Sequence, residues 1–199
     1  FNKEQGFYCS GHVFLGDHKF HCWKRKGHGM MNLSSAIKES CDCYFYNLAN
    51  SLKINDLANL SKIFSIGKKT EIDLPNELEG IMPDEKWKKN NKFESWHLGE
   101  TYNAVIGQGF TLSTPLQIAT MTARLATGKV IKPNIIRKNQ VFSKLEVPED
   151  HLNIVRKSMY KVVNEVNGTA FSSRLKHKQF KMVGKTGTSQ VRRISLKER

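Results

Sequence analysis

The 199-residue chain has no run approaching the roughly 20 consecutive apolar residues that cross a bilayer, and its start does not resemble a signal peptide. A complete phosphate-binding loop is missing as well. Gly184-Lys185-Thr186 supplies the end of one, but the glycine that should open it falls at position 179, where Gln stands, and no helix is expected to follow. There is no internal repeat, no low-complexity tract and no recognised nucleic-acid readout motif, and few aromatics interleave the lysine runs. Acidic residues are scarce, 18 against 32 Lys and Arg, for a net charge of +14. That excess suits nucleic acid, an anionic membrane surface, an anionic polymer or a merely solvated lysine-rich face, and selects none of them. Hydrophobic residues make up 39% and charged residues 25%, which permits an apolar core and excludes wholesale disorder. The chain opens on Phe1 rather than Met, so it is read as a processed or cut piece: one domain, or part of a larger one.

Glycines 6, 11, 16, 27 and 29 recur too often for a helix, so residues 1–32 are expected to be loop with short extended pieces. From Leu33 to Leu52 apolar residues follow helical spacing, with a break at Ser40–Cys43, where poor helix formers stand together. A second helix fits Ile54–Phe64 and ends before Gly67. Residues 67–112 read as mostly loop, with Lys86, Lys88, Lys89 and Lys92 on a solvated face. Thr114-Pro115 starts a nearly all-apolar helix that should be buried and ends at Gly128. A further helix fits Pro148–Val166, closed by Asn167-Gly168, and should pack on the preceding one. Residues 179–191, centred on 180–188, have the pattern of a strand. The class is therefore α+β, mostly helical with one strand whose sheet partners are not in the chain.

Lys185-Thr186-Gly187-Thr188 matches the Lys-Thr-Gly strand motif of serine acyl-transferases that bind penicillin. There a lysine and flanking hydroxyls hold a substrate carboxylate, and glycine lets the acyl group lie against the backbone. Ser40-Cys41-Asp42 fits the second element, Ser-x-Asn or a variant, on a loop facing that strand. In an extended loop Ser40 and Asp42 would face one cleft while Cys41 points behind. Helix capping is the ordinary alternative for such a Ser and Asp, and the two roles can coexist. Gly107-Gln108-Gly109 reads as a tight turn, and Trp23, Trp87 and Trp96 as packing residues.

Together with these motifs, Gly27-His28-Gly29, Cys43-Tyr44-Phe45-Tyr46, Leu74-Pro75, Gly80-Ile81-Met82-Pro83, Gly99-Glu100-Thr101, Ile106-Gly107-Gln108-Gly109, Thr114-Pro115-Leu116-Gln117 and Asn167-Gly168-Thr169-Ala170 run in one order along nearly the whole chain. In that order the chain resembles the penicillin-binding protein 2 family, the class B peptidoglycan D,D-transpeptidases of cell elongation. The resemblance implies a penicillin-binding fold and a 1–199 segment that is a partial transpeptidase domain. The family's nucleophile belongs to a Ser-x-x-Lys upstream of the Gly-His-Gly segment. Ser35-Ala36-Ile37-Lys38 and Ser173-Arg174-Leu175-Lys176 have that spacing by coincidence, so the segment alone is expected not to acylate.

The resemblance further implies roles. Ser40 would relay a proton to the leaving D-Ala nitrogen, and Asp42 would stand where the family usually has Asn, touching the peptide or the nucleophile's lysine. Lys185 would keep the site positive and tune Ser40. Thr186 or Thr188 would bind the terminal carboxylate beside Gly187, and the Thr188 N–H would form half an oxyanion hole. Stem peptides and β-lactams are the implied ligands. A membrane-embedded glycosyltransferase and the elongation machinery are the implied partners, at the periplasmic face of a bacterial inner membrane with the anchor outside the chain.

Cysteines at 9, 22, 41 and 43 first suggest disulfides in such a compartment. Cys9, Cys22, His28 and Cys41 also form a set that could hold structural zinc, although no Cys-x-x-Cys knuckle is present. A Cys9–Cys22 disulfide and free thiols remain open beside zinc, with His12, His18, His21 and Cys43 as reserve ligands. No metal is required for the chemistry. Two other classes also remain, a non-catalytic penicillin-binding-like scaffold and a basic zinc-bearing nucleic-acid module.

Overall fold

The structure, a computed structural model, describes residues 5–136, 139–177 and 179–189. The glycine-rich beginning forms two antiparallel ribbons. β1 (Phe7–Cys9) pairs with β4 (Gly29–Met31), and between them β2 (His12–Leu15) and β3 (His18–His21) close a hairpin. Alternation puts Phe7, Cys9 and Met31 inward and leaves Tyr8 and Met30 outside.

Helices α1 (Leu33–Glu39), α2 (Asp42–Ala49) and α3 (Ile54–Ile63) follow, so the expected long helix is broken at residues 40 and 41. Asn32 opens α1 with a capping box, its Oδ1 accepting from the Ser35 N–H while Ser35 Oγ accepts from the Asn32 N–H. Ser35 therefore spends its hydroxyl on a helix start. α2 buries Cys43, Tyr44, Tyr46 and Ala49. Tyr46 stacks on Tyr102, 5.4 Å between ring centres, and Phe20 meets both rings edge-on, so the hairpin is clamped to the helical body.

The segment read as loop contains two helices, α4 (Glu85–Lys92) and α5 (Leu98–Ala104). α4 escapes a hydrophobic-pattern reading because Trp87 is its one apolar residue. It is started by Asp84, whose Oδ1 accepts from the Trp87 N–H, and secured by Lys88. Lys88 is not on a solvated face. It is 1% exposed, and its ammonium lies 2.5 Å from Glu100 and 3.5 Å from Glu94. The other Glu100 oxygen accepts the His97 N–H at the start of α5. One carboxylate thus caps α5 and neutralises α4's buried lysine.

α6 (Pro115–Thr127) and α7 (Glu149–Asn164) lie where the sequence placed helices and are joined through Arg156, which donates to the Leu125 carbonyl. The expectation of a buried apolar α6 is corrected. Its inward side carries Gln117, Thr120 and Arg124, while Ile118 is 44% exposed. Thr120 donates to the Leu116 carbonyl within the helix, while Gln117 and Arg124 are buried because each closes a loop. Gln117 Nε2 donates to the carbonyls of Lys68 and Glu79, and Arg124 donates to those of Ile63 and Ile131.

α1 packs on α7 around Ile37, Val162 and Val163, and Met182 of the last described segment enters that core. The expected strand at 180–188 is not formed among the described residues. Residues 181–189 run in neither helix nor ladder, since no neighbouring strand offers them a partner. The strands that do form are those of the two ribbons, and the class remains mixed α and β.

The Lys88 ion pair gives a test with a definite sign. Burial alone would lower the ammonium's pKa, but the Glu100 hydrogen bond and the charges of Glu100 and Glu94 raise it above the ordinary 10.5. The pair should stabilise the fold fully below that value and lose its contribution as pH rises through the raised one. Glu100→Gln should therefore lower the thermal midpoint at pH 7, and the gap to wild type should narrow above pH 10.5. A gap independent of pH would assign the loss to the α5 cap alone.

Candidate active site

Ser40 stands at the junction of α1 and α2. The Ser40 N–H donates to the Ile37 carbonyl and the Cys41 N–H to the Ala36 carbonyl, at 2.9 Å in the second case. This is a Schellman closure whose left-handed position glycine normally fills. Here Ser40 takes it, at φ 55° and ψ 49°. Only Cys41 of the expected extended loop is extended, and Asp42 already begins α2. The outcome nevertheless matches the alternation argument in one respect, for Cys41 is fully buried behind Ser40.

Lys185 reaches Ser40 across 145 residues of sequence, its Nζ donating to Ser40 Oγ at 2.8 Å. Its other contacts are the Thr186 carbonyl at 3.1 Å and Thr186 Oγ1 at 3.4 Å. An ammonium only donates, so Ser40 accepts here and its own proton stays free for another group. The surrounding protein strips water from Lys185 and lowers its pKa, against the pull of the Asp42 carboxylate. Asp42 Oδ2 accepts the Trp23 N–H at 2.9 Å. Burial pushes its carboxyl up to about 6, the Trp23 hydrogen bond opposing that shift. Trp23 is 58% exposed, and its indole donates to the Glu39 carbonyl, so it braces the junction rather than filling a core.

Without a ladder, the Lys185 segment is held by the helical body at every second residue, the period of an extended course. Asn164 Nδ2 donates to the Met182 carbonyl at 2.8 Å. The Gly184 N–H meets the Met159 carbonyl at 3.4 Å. Thr169 and Thr186 share a hydroxyl–hydroxyl bond of 2.8 Å, and Gln108 Nε2 donates to the Thr188 carbonyl at 3.0 Å. Gln108 owes its position to a second Schellman closure. The Gly107 N–H bonds the Ala104 carbonyl and the Gln108 N–H the Asn103 carbonyl, with Gly107 at φ 72°. The sequence reading saw the turn at 107–109 but not this contact, and it assigned no task to Asn164 or Thr169. The available signal was a polar side chain between two glycines.

Directly behind Ser40 lie Cys9, Cys22, His28 and Cys41, their ligand atoms all within 4.8 Å of one another. Gly27 makes the convergence possible. A Cβ there would come within 2.2 Å of the Cys9 carbonyl, and the neighbouring His28 N–H bonds that same carbonyl. His28 Nδ1 lies 3.5 Å from Cys9 Sγ and 3.6 Å from Cys22 Sγ. Its Nε2 is buried with no protein partner, so only Nδ1 faces the cluster. Tetrahedral zinc, with Zn–S of about 2.3 Å and Zn–N of about 2.0–2.1 Å, requires S···N edges of about 3.5–3.6 Å. The set fits zinc. The Cys22 thiol is pushed strongly down by hydrogen bonds from the Cys41 and Cys43 thiols and from the Lys24 and Cys43 N–H groups, which outweigh burial. Cys41 and Cys43 move up, chiefly as donors to Cys22 and then by burial.

Among the described residues the cysteines are free, so the Cys9–Cys22 disulfide is not formed. Of the reserve ligands, Cys43 adjoins the cluster, while His12, His18 and His21 belong to the β2–β3 hairpin outside it.

A helical lobe that presents Ser40 to a Lys-Thr-Gly segment is the frame of a serine acyl-transferase fold. The family model for the penicillin-binding protein transpeptidase domain matches residues 1–195, and the chain belongs to that family. It is 36% identical over 201 residues to the peptidoglycan D,D-transpeptidase MrdA of Acinetobacter baumannii, covering 94% of this chain and 29% of that protein. Against MrdA of Escherichia coli K12 the identity is 30%, covering 87% of this chain and 29% of the relative. The chain thus spans less than a third of the length of these curated relatives. Among solved structures, the penicillin-binding protein PBP2 of Helicobacter pylori, in a complex with MreC, superposes with a TM-score of 0.90 at 36% identity. That match covers 96% of this chain and 36% of the other. PBP2 of Pseudomonas aeruginosa in complex with WCK 5153 gives 0.78 at 34% identity, covering 85% and 40%.

The Gln108 contact is open to direct measurement. Gln108→Leu removes the donor to the Thr188 carbonyl, a bond contributing about 0.5–1.5 kcal/mol. Amide hydrogen exchange across 182–188 should rise about two- to tenfold while exchange in α7 stays unchanged. Unchanged exchange in 182–188 would show that the other three anchors suffice.

Proposed function

We propose that the chain carries the Ser-x-Asp and Lys-Thr-Gly elements of a peptidoglycan D,D-transpeptidase of the elongation type, and that the nucleophilic serine and its lysine come from residues outside 1–199. The observation that carries this reading is the Lys185–Ser40 bond of 2.8 Å. It joins the two motif elements as acyl transfer needs them, with a proton left on Ser40 to give.

In the proposed reaction the nucleophilic serine oxygen attacks the carbonyl carbon of the penultimate D-Ala of a stem peptide, and its proton passes to the neighbouring lysine. As the tetrahedral intermediate collapses, the C–N bond breaks and the leaving D-Ala nitrogen takes a proton through Ser40, leaving a serine ester. The amine of a second stem peptide then attacks the ester carbon and releases the serine as the cross-link forms. Lys185 holds positive charge at Ser40 and beside the substrate's terminal carboxylate, which Thr186 or Thr188 binds. Gly187 keeps the backbone accessible to the acyl group, and the Thr188 N–H supplies half of the oxyanion hole. Asp42, fixed by Trp23, lines the same cleft where the family's Asn would stand. A β-lactam enters as a mimic of the D-Ala-D-Ala end and stays at the ester.

The same reading gives Cys9, Cys22, His28 and Cys41 a structural zinc ion. Bound there, zinc supplies no chemistry to the acyl carbon. The four residues would fix Cys41 and so the direction of Ser40 and Asp42. The H. pylori complex with MreC supports a partner in the elongation machinery, and family membership supports a membrane-embedded glycosyltransferase partner and a site at the periplasmic face. Among the described residues no helix is long and apolar enough to cross a membrane.

Full-length protein containing residues 1–199 should be labelled by a fluorescent β-lactam, and Lys185→Met should slow labelling by about 100-fold or more. Residues 1–199 alone should not label. Labelling at Ser35 or Ser173 would overturn the external nucleophile, and an inert full-length protein would favour a scaffold role.

The metal assignment has its own measurement. Protein purified without chelators should carry one zinc per chain, and Cys41→Ser should lose the metal and slow β-lactam labelling. Metal-free protein, or an S–S bond between Cys9 and Cys22, would refute it.

A further inference from the structure

The Thr169 hydroxyl lies 2.8 Å from Thr186 Oγ1, yet nothing in the acyl-transfer scheme uses it. A threonine hydroxyl has one proton and two lone pairs. Lys185 Nζ, 3.4 Å from Thr186 Oγ1, can only donate and so occupies one lone pair of Thr186. The direction of the bond to Thr169 then decides what Thr186 offers the cleft. If Thr169 accepted, Thr186 would spend its single proton inward and turn an unfilled lone pair toward an incoming carboxylate. If Thr169 donates, both lone pairs of Thr186 are occupied and its proton faces outward.

The surroundings favour donation. Thr186 Oγ1 already accepts from the Lys185 ammonium, which polarises it as an acceptor and favours Thr169 as the donor in the hydroxyl pair. The Thr169 backbone is pinned twice over. Its N–H donates to the Lys38 carbonyl of α1, and the next N–H, of Ala170, donates to the Val162 carbonyl of α7. Gly168 permits this closure, since a Cβ there would lie 2.3 Å from that Val162 carbonyl. The hydroxyl is thus held by the α1–α7 core rather than by the segment it touches. Bonds in a donor chain that ends on an anion strengthen one another.

We propose that Thr169 is a positioning residue that makes the site specific for a carboxylate-terminated acyl donor, by donating to Thr186 Oγ1 and so turning the Thr186 proton toward the carboxylate. This rests on the reading that the Lys185–Thr188 segment binds that carboxylate.

The test uses the full-length protein and two probes, a β-lactam with its free carboxylate and the same compound as its methyl ester. Second-order acylation rates are measured for wild type, Thr169→Val, Thr169→Ser, Thr186→Val and Thr188→Val, with thermal midpoints as the control for folding. Thr169→Val should slow acylation by the carboxylate form about tenfold while changing the ester rate less than about twofold. Thr169→Ser, which keeps the hydroxyl, should restore the carboxylate-to-ester ratio. Equal slowing of both probes, or failure of Ser to restore the ratio, would overturn the role. If Thr186→Val lowers the ratio and Thr169→Val does not, Thr169 is excluded while the carboxylate reading stands. If Thr186→Val leaves the ratio unchanged, Thr186 does not hold the carboxylate and the role of Thr169 fails, while loss of the ratio in Thr188→Val would keep the carboxylate reading of the segment.

Discussion

The hydrogen bond from the Cys41 N–H to the Ala36 carbonyl closes α1 and turns the chain, and three consecutive side chains take their directions from that turn. Ser40 meets Lys185, Cys41 enters the thiol cluster, and Asp42 accepts from Trp23 while opening α2. A chain that left α1 by another route could satisfy one of these contacts but not all three. The junction is held from both sides, because α1 is packed on α7 through Ile37, Val162 and Val163, and α2 is packed on the hairpin through Tyr46 and Phe20. Rigidity in the helical lobe is therefore what gives an otherwise solvent-facing serine a defined position.

The sequence disclosed the parts of this arrangement that rest on residue type and short spacing. Poor helix formers at 40–43 marked the break, Thr114-Pro115 and Gly128 bounded α6, and the order of short motifs pointed to the family that the match over residues 1–195 bears out. It hid what depends on long-range partners. α4 carries no apolar stripe and stands because Lys88 finds Glu100, a pairing that no local pattern announces. α6 turned out polar on its inner side because Gln117 and Arg124 close loops from 38 to 61 residues away, where a hydropathy argument sees only an apolar helix. The expected strand at 180–188 failed for the converse reason. Its residues have strand character, but a ladder needs a neighbour, and side chains of α7, Thr169 and Gln108 provide the contact instead.

The site follows the same division. Ser40, Asp42, Lys185 and the four residues of the thiol cluster were legible as chemistry-bearing types in a recurring order. Their meeting depends on distances only the fold supplies, such as the 2.8 Å between residues 40 and 185. Gln108 and Thr169 were visible as members of glycine-containing motifs, with no task of their own. Their side chains matter because those motifs aim them at the one segment of the cleft that has no sheet to hold it.

Ser40 occupies a left-handed position at φ 55°, where glycine would relieve about 1–2 kcal/mol of backbone strain. Ser40→Gly would make a better helix end and a more stable lobe, and it would delete the hydroxyl that Lys185 holds. Selection for stability and selection for activity thus pull residue 40 in opposite directions. A screen for thermal robustness that does not also read activity would be drawn to glycine at the position the cleft can least spare.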